Sequence, residues 1–349
     1  AVVQQLQDML RNNAWMRPLL KQSIQEAKRP AVQTLEDYFA YLDNLVEWIP
    51  KDQKLYDNIV EFYWFLDQEA GRKLQEQSPM FRRWMVNFAD AWGAFLNTPE
   101  SAKHIDGFLD DPRFDIDAYD PGPSGWRTFN EFFARAVRPG MRPVEGEFDD
   151  GVVVSPADSV FKAQYTIDTN APEITAKGVT YSIKTLIQDS KHAARFEGGT
   201  FMHAFLNVND YHRYHVPVRG TVEEVKHIRG DVYLDVHQDE TGELHARDGT
   251  GYQFQQARGL IVQDSPIGLV ATLPIGMAQV SSVNITPRVG TYLSKGQEFG
   301  YFLFGGSDII MLFEKSANLD IAIKTGNHHK VGQKKIGRHT SELQSLSHI

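Results

Sequence analysis

The sequence predicts an α+β protein, with a helical N-terminal region followed by a β-rich domain of sandwich or barrel-sandwich type. Three observations point there. Apolar residues in the first third recur at helical spacing, a Pro/Gly-rich loop follows near residue 120, and short β-type runs fill the chain from Val152 onward.

In the helical part, Thr34-Leu35-Glu36-Asp37 forms a capping box before an aromatic-rich helix expected to reach Ile49, with Pro50 as its stop. Leu55, Ile59, Phe62, Tyr63 and Leu66 fall on one helical face, as do Trp84, Phe88, Trp92, Phe95 and Leu96. Aromatic stripes at this spacing read as core packing rather than a ligand cage. Asp120-Pro121-Gly122-Pro123-Ser124-Gly125 is a loop, and a short helix is expected over residues 129–136. The β-type runs cover residues 152–154, 201–208, 220–225, 260–263, 268–273, 299–304 and 309–313. The helical region is therefore placed at residues 1–120 and the second domain at 121–330. Residues 334–349, polar and aperiodic, are set aside as a non-native or disordered tail. Residues 154–160 and 215–222 echo each other as strand, Pro kink and strand, and residues 289–300 resemble the strand–turn–strand of barrel-sandwich modules.

The 349 residues are 42% hydrophobic and 23% charged, enough for one large core or two ordinary ones. With 36 basic and 45 acidic residues the net charge is −9, which repels phosphate backbones and argues against nucleic acid as a partner. The chain contains no cysteine, which rules out disulfides, thiolate nucleophiles and Cys-ligated metals, and fits a cytoplasmic location. The longest uncharged apolar stretch, residues 267–280, is too short to span a bilayer and holds Pro274 and Gly276. The N-terminus lacks the basic-then-apolar order of a secretory signal. A homo-oligomer is compatible with the sequence, which does not specify one.

Three clusters could carry chemistry. Tyr211-His212-Arg213-Tyr214-His215 places two histidines three apart, but without a nearby carboxylate cluster to complete a metal site. Ser155-Pro156-Ala157-Asp158 puts an Asp after a strand end, where it could simply cap a turn. Phe304-Gly305-Gly306-Ser307 is a strand running into two glycines and a serine. Together they supply Asp, His and Ser, the parts of a base-activated nucleophile. The glycines open backbone angles closed to other residues and leave the Gly306 carbonyl unobstructed, which suits attack by Ser307 on its own preceding peptide bond.

Thr128-Phe129-Asn130-Glu131-Phe132-Phe133-Ala134-Arg135 with Arg138-Pro139-Gly140-Met141-Arg142-Pro143 resembles the opening of phosphatidylserine decarboxylase domains. Ser155-Pro156-Ala157-Asp158, then residues 210–220, then Gly300-Tyr301-Phe302-Leu303-Phe304-Gly305-Gly306-Ser307 match that family's motifs in order, from about Thr128 to Leu319. The helical region, with Phe205-Leu206-Asn207-Val208 before the His motif, is more similar to the family's soluble branch, which includes a fungal tryptophan decarboxylase.

The resemblance implies a carboxy-lyase made as a zymogen. Asp158 would orient His215, and His215 would deprotonate Ser307 for self-cleavage between Gly306 and Ser307. Attack on the Gly306 carbonyl gives an ester, elimination releases Gly306, and the resulting dehydroalanine hydrolyses to a pyruvoyl cofactor. The products would be a 306-residue β chain and a 43-residue α chain. His212 would serve turnover as proton donor or positioning group. The ketone would accept the substrate amine as a Schiff base and act as electron sink, so neither metal nor pyridoxal phosphate is expected. The substrate is expected to be a free amino acid, in the aromatic class such as tryptophan, with phosphatidylserine as the alternative.

Two positions depart from the family pattern. Ser159 stands where Gly is common, and Asp308 stands where Thr or Ser is usual. Two other functions use the same residues differently. An Asp158–His215–Ser307 hydrolase lacks the Gly-x-Ser-x-Gly elbow, and a non-catalytic β-sandwich binding module would leave the chain intact.

Overall fold

The computed structural model describes residues 1–51, 57–176, 178–246, 251–277, 283–321 and 323–338. Among the described residues six helices open the chain: α1 Val2–Asn12, α2 Met16–Glu26, α3 Leu35–Val46, α4 Asp57–Leu66, α5 Glu69–Gln77 and α6 Pro79–Phe95. The capping box is present. Asp37 N–H donates to Thr34 Oγ1 (3.1 Å) and Thr34 N–H donates to the Asp37 carboxylate (3.0 Å). The helix it starts ends at Val46, three residues short of the expected Ile49. Ile59, Phe62, Tyr63 and Leu66 of α4 and Trp84, Phe88 and Trp92 of α6 are buried, as their spacing predicts, whereas Leu55 lies outside the described residues.

Residues 129–136 are less helical than expected. The helix is Phe129–Phe133, and Ala136–Val137 instead pairs antiparallel with Tyr119–Asp120. Thr128 caps this helix through Glu131 N–H, and Glu131 in turn accepts from Arg127 N–H (2.7 Å).

The second part is built on an antiparallel sheet of eight strands. Their order is Tyr292–Leu293, Gly220–Ile228, Arg258–Ser265, Gly268–Met277, Gly306–Phe313, Thr200–Leu206, Ser159–Thr166 and His328–His329. Two three-stranded sheets flank it. One joins Val283–Ile285, Glu298–Phe302 and Arg213–His215, and the other joins Leu319–Asp320, Lys334–Arg338 and Val153–Val154. The expected tail is thus corrected in part. Lys334–Arg338 is a strand pairing with Val153–Val154, a contact distant in sequence that local polarity cannot reveal, and residues 339–349 lie outside the described residues. The two echoed segments do share a form: each runs strand, break, strand, at 153–166 and at 213–228.

One apolar core crosses from helices to sheet. Trp84, Phe88 and Trp92 of α6 belong to the same buried cluster as Phe129, Phe133, Leu206, Phe302, Phe304 and Ile309. A second cluster, with Phe201, Leu273, Ile310 and Leu312, covers the other face of the eight-stranded sheet. Successive residues of Gly306–Phe313 alternate between these faces, as an extended strand requires.

Candidate active site

Ser307 sits near the beginning of the Gly306–Phe313 strand, in the middle of the large sheet, opposite Gly276 on one side and Leu206 on the other. It has no exposed surface. The chain enters this strand through Gly305, whose φ of 147° is a conformation that L side chains rarely adopt. Gly306 and Ser307 therefore begin a new strand rather than trailing off the preceding one, which ends at Phe302.

The approach to the serine is held from the N-terminal side. Phe304 N–H donates to Asn130 Oδ1 (3.1 Å), and Asn130 Nδ2 donates to Gly93 O (3.1 Å) and Asn97 Oδ1 (3.0 Å). The Phe304 ring meets Trp92, Phe129 and Phe133 edge-on, with centroids 5.3–5.7 Å away. The helical region and the motif helix thus fix the residue just before the two glycines.

His212 provides the contact to the serine. Its Nδ1 lies 2.9 Å from Ser307 Oγ, and its Nε2 lies 3.0 Å from Asn207 O and 3.3 Å from Val208 O. Carbonyls only accept, so Nε2 carries the proton and Nδ1 presents its lone pair to the Ser307 hydroxyl. Burial, and then the nearby Arg135 guanidinium, lower the imidazole pKa from 6.5 to about 3, so the ring is neutral. Phe133 stacks on it, with centroids 4.0 Å apart.

The loop that supplies those carbonyls is itself clamped. The Asp210 carboxylate accepts from Asn207 N–H (2.7 Å) and Nδ2 (3.0 Å), and its other oxygen lies 2.8 Å from His328 Nε2. Arg135, almost fully buried, donates to Asn209 O (2.8 Å) and lies over the Tyr119 ring, 4.2 Å from its centroid.

His215 and Asp158 form a second layer rather than a relay through to the serine. His215 Nδ1 donates to Gly296 O (2.7 Å), and its Nε2 is 2.9 Å from the Tyr211 hydroxyl. Asp158 accepts from Arg142 Nε (3.0 Å) and Nη2 (2.6 Å) and from Val331 N–H (2.7 Å). The Arg142 guanidinium lies over the Tyr211 ring at 5.5 Å, linking the two groups indirectly. The expected Asp158–His215–Ser307 chain of contacts is therefore corrected: His212, not His215, meets Ser307. Positions 212 and 215 are three apart in extended chain, so their side chains leave opposite faces and only one can meet Ser307. Spacing alone could not say which. Asn130, Arg135, Asp210 and Arg142 lie inside the motifs recognised in the sequence, yet nothing local signalled their roles.

Among the described residues, one group of carboxylates and imidazole comes within metal-binding distance: Asp239, Glu243 and His245 in the hairpin Val236–Gln238/Leu244–Ala246. Asp239 is engaged by Thr241 and by Glu243 N–H within the turn, and the group is remote from Ser307 in the chain. No helix among the described residues is long and apolar enough to cross a membrane.

A family profile described as phosphatidylserine decarboxylase matches residues 129–337. Phosphatidylserine decarboxylase proenzyme 2 of Oryza sativa subsp. japonica is 34% identical over 237 residues, covering 67% of this chain and 37% of the rice protein. The phosphatidylserine decarboxylase proenzyme of Fusobacterium nucleatum is 31% identical over 230 residues, 65% of this chain and 73% of that protein. The decarboxylase iboD of Amanita muscaria is 30% identical over an alignment of 308 residues, taking in 77% of this chain and 87% of the fungal protein. The chain thus spans little more than a third of the rice protein and most of the other two.

Proposed function

Because the chain belongs to the phosphatidylserine decarboxylase family, we propose that it is a carboxy-lyase that cuts itself between Gly306 and Ser307, converts Ser307 to a pyruvoyl group and decarboxylates a free amino acid. The observation that carries the self-processing step is the 2.9 Å contact between Ser307 Oγ and the bare Nδ1 of a neutral His212. The residues present fit formation of the group. A buried serine has a proton acceptor at its hydroxyl, and a glycine in a conformation closed to other residues leads into the peptide bond to be broken. The Ser307 proton passes to His212 Nδ1 as Oγ attacks the Gly306 carbonyl carbon. The Gly306–Ser307 C–N bond breaks as the ester forms, with the freed Ser307 amine taking the proton back from His212; loss of the Ser307 Cα proton with cleavage of its Cβ–Oγ bond then frees the Gly306 carboxylate and leaves the dehydroalanine. Water hydrolyses the remaining dehydroalanine and ammonia leaves.

Once formed, the ketone supplies the electron sink for loss of CO₂ from a carbon bearing an amine. Asn207 and Val208 hold the His212 ring in place, and Phe133 covers its face. His212, adjacent to residue 307, is the group we assign to proton delivery during turnover.

For the substrate, the net charge of −9 favours a free amino acid, since such a surface is repelled by anionic bilayers. Phosphatidylserine is the second reading, on the printed names of the rice and bacterial relatives.

Intact-mass measurement tests the proposal. The wild-type chain is expected as two pieces with a ketone at the new terminus of the smaller, and Ser307→Ala as one uncut chain. A freshly prepared wild-type chain that is uncut and still releases CO₂ would end the pyruvoyl reading.

A further inference from the structure

Four hydrogen bonds run from the rim of the eight-stranded sheet to Ser307. His328 lies on the edge strand His328–His329, opposite Val160, and its side chain keeps 38% of its surface exposed. Its Nε2 is 2.8 Å from Asp210 Oδ1, and the Asp210 side chain is itself buried. Asp210 Oδ2 accepts from Asn207 N–H, the Asn207 carbonyl accepts from His212 Nε2–H, and His212 Nδ1 accepts from the Ser307 hydroxyl. Among the described residues the other partners of this carboxylate come from its own loop, so His328 is the one side chain from elsewhere that bonds to it. His328 also lies downstream of the Gly306–Ser307 bond, whereas Asp210, Asn207 and His212 lie upstream.

We propose that His328 is a positioning residue for self-cutting, holding the Asp210 carboxylate from the sheet rim so that His212 keeps the Nε2–H form that offers Nδ1 to Ser307. This role rests on the self-cutting reading above and adds the regulation of that step by pH. Without the His328 ring, Asp210 Oδ1 loses its partner and the carboxylate turns toward the water admitted at the rim. The Asn207 and Val208 carbonyls then lose their fixed place, and the His212 proton is free to move to Nδ1, where it blocks removal of the Ser307 proton. An imidazolium at position 328 makes a charge-assisted bond, about twice as strong as that of the neutral ring. The hydrogen bond to Asp210 raises the His328 pKa above 6.5 against the effect of burial; the Asp210 and Asp158 charges add to the rise and Lys330 opposes it. Lys330 is in turn 3.2 Å from the Asp115 carboxylate. Burial depresses His212, His215 and His329, which are neutral above pH 6.5, while the buried Lys335 amine is lowered to about 7. The hold on Asp210 is therefore strongest below the His328 pKa and weakens as pH rises through it.

Cell-free translation gives fresh, uncut chain, and its cutting is followed on a denaturing gel from about pH 6.5 to about pH 9. At the lower pH His328→Ala should cut about 10-fold more slowly than wild type. His328→Gln, whose amide still donates to Asp210, should return to within about threefold of wild type. The wild-type rate should fall by about threefold across the range, and His328→Gln should lose that fall. Lys335 is present in both chains, so the difference between their profiles belongs to His328. Imidazole nitrogen NMR of the uncuttable Ser307→Ala chain reads the tautomer directly. His212 should be protonated at Nε2 alone, and adding His328→Ala should average its two nitrogen signals. His328→Ala cutting at the wild-type rate, a His328→Gln profile that keeps the full fall, or a His212 tautomer indifferent to His328 would each overturn the assignment. A wild-type chain that never cuts defeats the self-cutting reading instead, and the nitrogen spectra then still decide whether His328 holds His212.

Discussion

The behaviour of His212 follows from which of its nitrogens is occupied. With Nε2–H committed to Asn207 and Val208 carbonyls, the lone pair on Nδ1 has one partner, the Ser307 hydroxyl. A ring whose pKa is near 3 is a weak proton acceptor, so its action on the hydroxyl rests on the 2.9 Å approach of Nδ1 to Ser307 Oγ. His212→Ala should slow cutting by about 10²–10⁴-fold. His215→Ala leaves the Ser307 contact in place and should slow it less, as read by the fraction cut over time on a denaturing gel. The reverse order would mean that the two rings exchange places before reaction.

The same depressed pKa makes a stability prediction. The unfolded chain binds a proton at this position near pH 6.5 while the folded chain resists it down to about pH 3. The unfolded state is therefore favoured as pH falls through that window, and stability rises with pH across it. Urea unfolding at pH 8 and pH 5 should show His212 contributing about 2 kcal/mol of loss at the lower pH. His215, also depressed by burial, adds in the same direction. His212→Gln should remove its share of the slope, and an unchanged slope would show that the ring is not the buried neutral group described. At this scale the sequence exposed the residue types and their order. It could not expose tautomer or partner, because both depend on carbonyls of a loop whose shape is set by Asp210 and by His328, more than a hundred residues away.

The critical element is the entry into the Gly306–Phe313 strand. Sequence reading took residues 304–307 as a strand end, whereas the pairing of Ser307 with Gly276 and Leu206 makes Gly306 and Ser307 the start of the next strand. Strand pairing is non-local, and no window of residues contains it. The two glycines were legible as a place of unusual backbone, and Gly305 bears this out with its φ of 147°. Gly305→Ala should destabilise the fold by about 1–3 kcal/mol and delay cutting, measured by thermal melt and by cleavage time course. Cutting at the wild-type rate would show that the strand entry tolerates a side chain.

At the level of the whole molecule, the change from helical to alternating periodicity marked where one kind of structure gives way to the other. Periodicity says nothing about what packs on what, and the helices and the sheet turn out to share a core, joined where Trp92 meets Phe304. Five of the six tryptophans precede residue 93, so fluorescence reports chiefly the helical part. Amide exchange of the Gly306–Phe313 strand reports the sheet. Thermal or urea unfolding followed by the two probes should coincide in one transition. Loss of the fluorescence signal well before the strand amides open would mean that the two parts unfold separately.

The position of the proposed cut has a consequence for the life of the molecule. The bond between Gly306 and Ser307 lies at the head of a strand bonded along both of its edges, and the downstream piece also carries His328–His329 at the rim and Lys334–Arg338 in a neighbouring sheet. Cutting there would liberate nothing: the smaller fragment would stay woven into the larger through an interior strand. On the proposed cut, folding would precede scission as a unimolecular event. A molecule cut at the proposed bond and later denatured would become two strangers in solution, its recovery depending on their concentration and on finding one another.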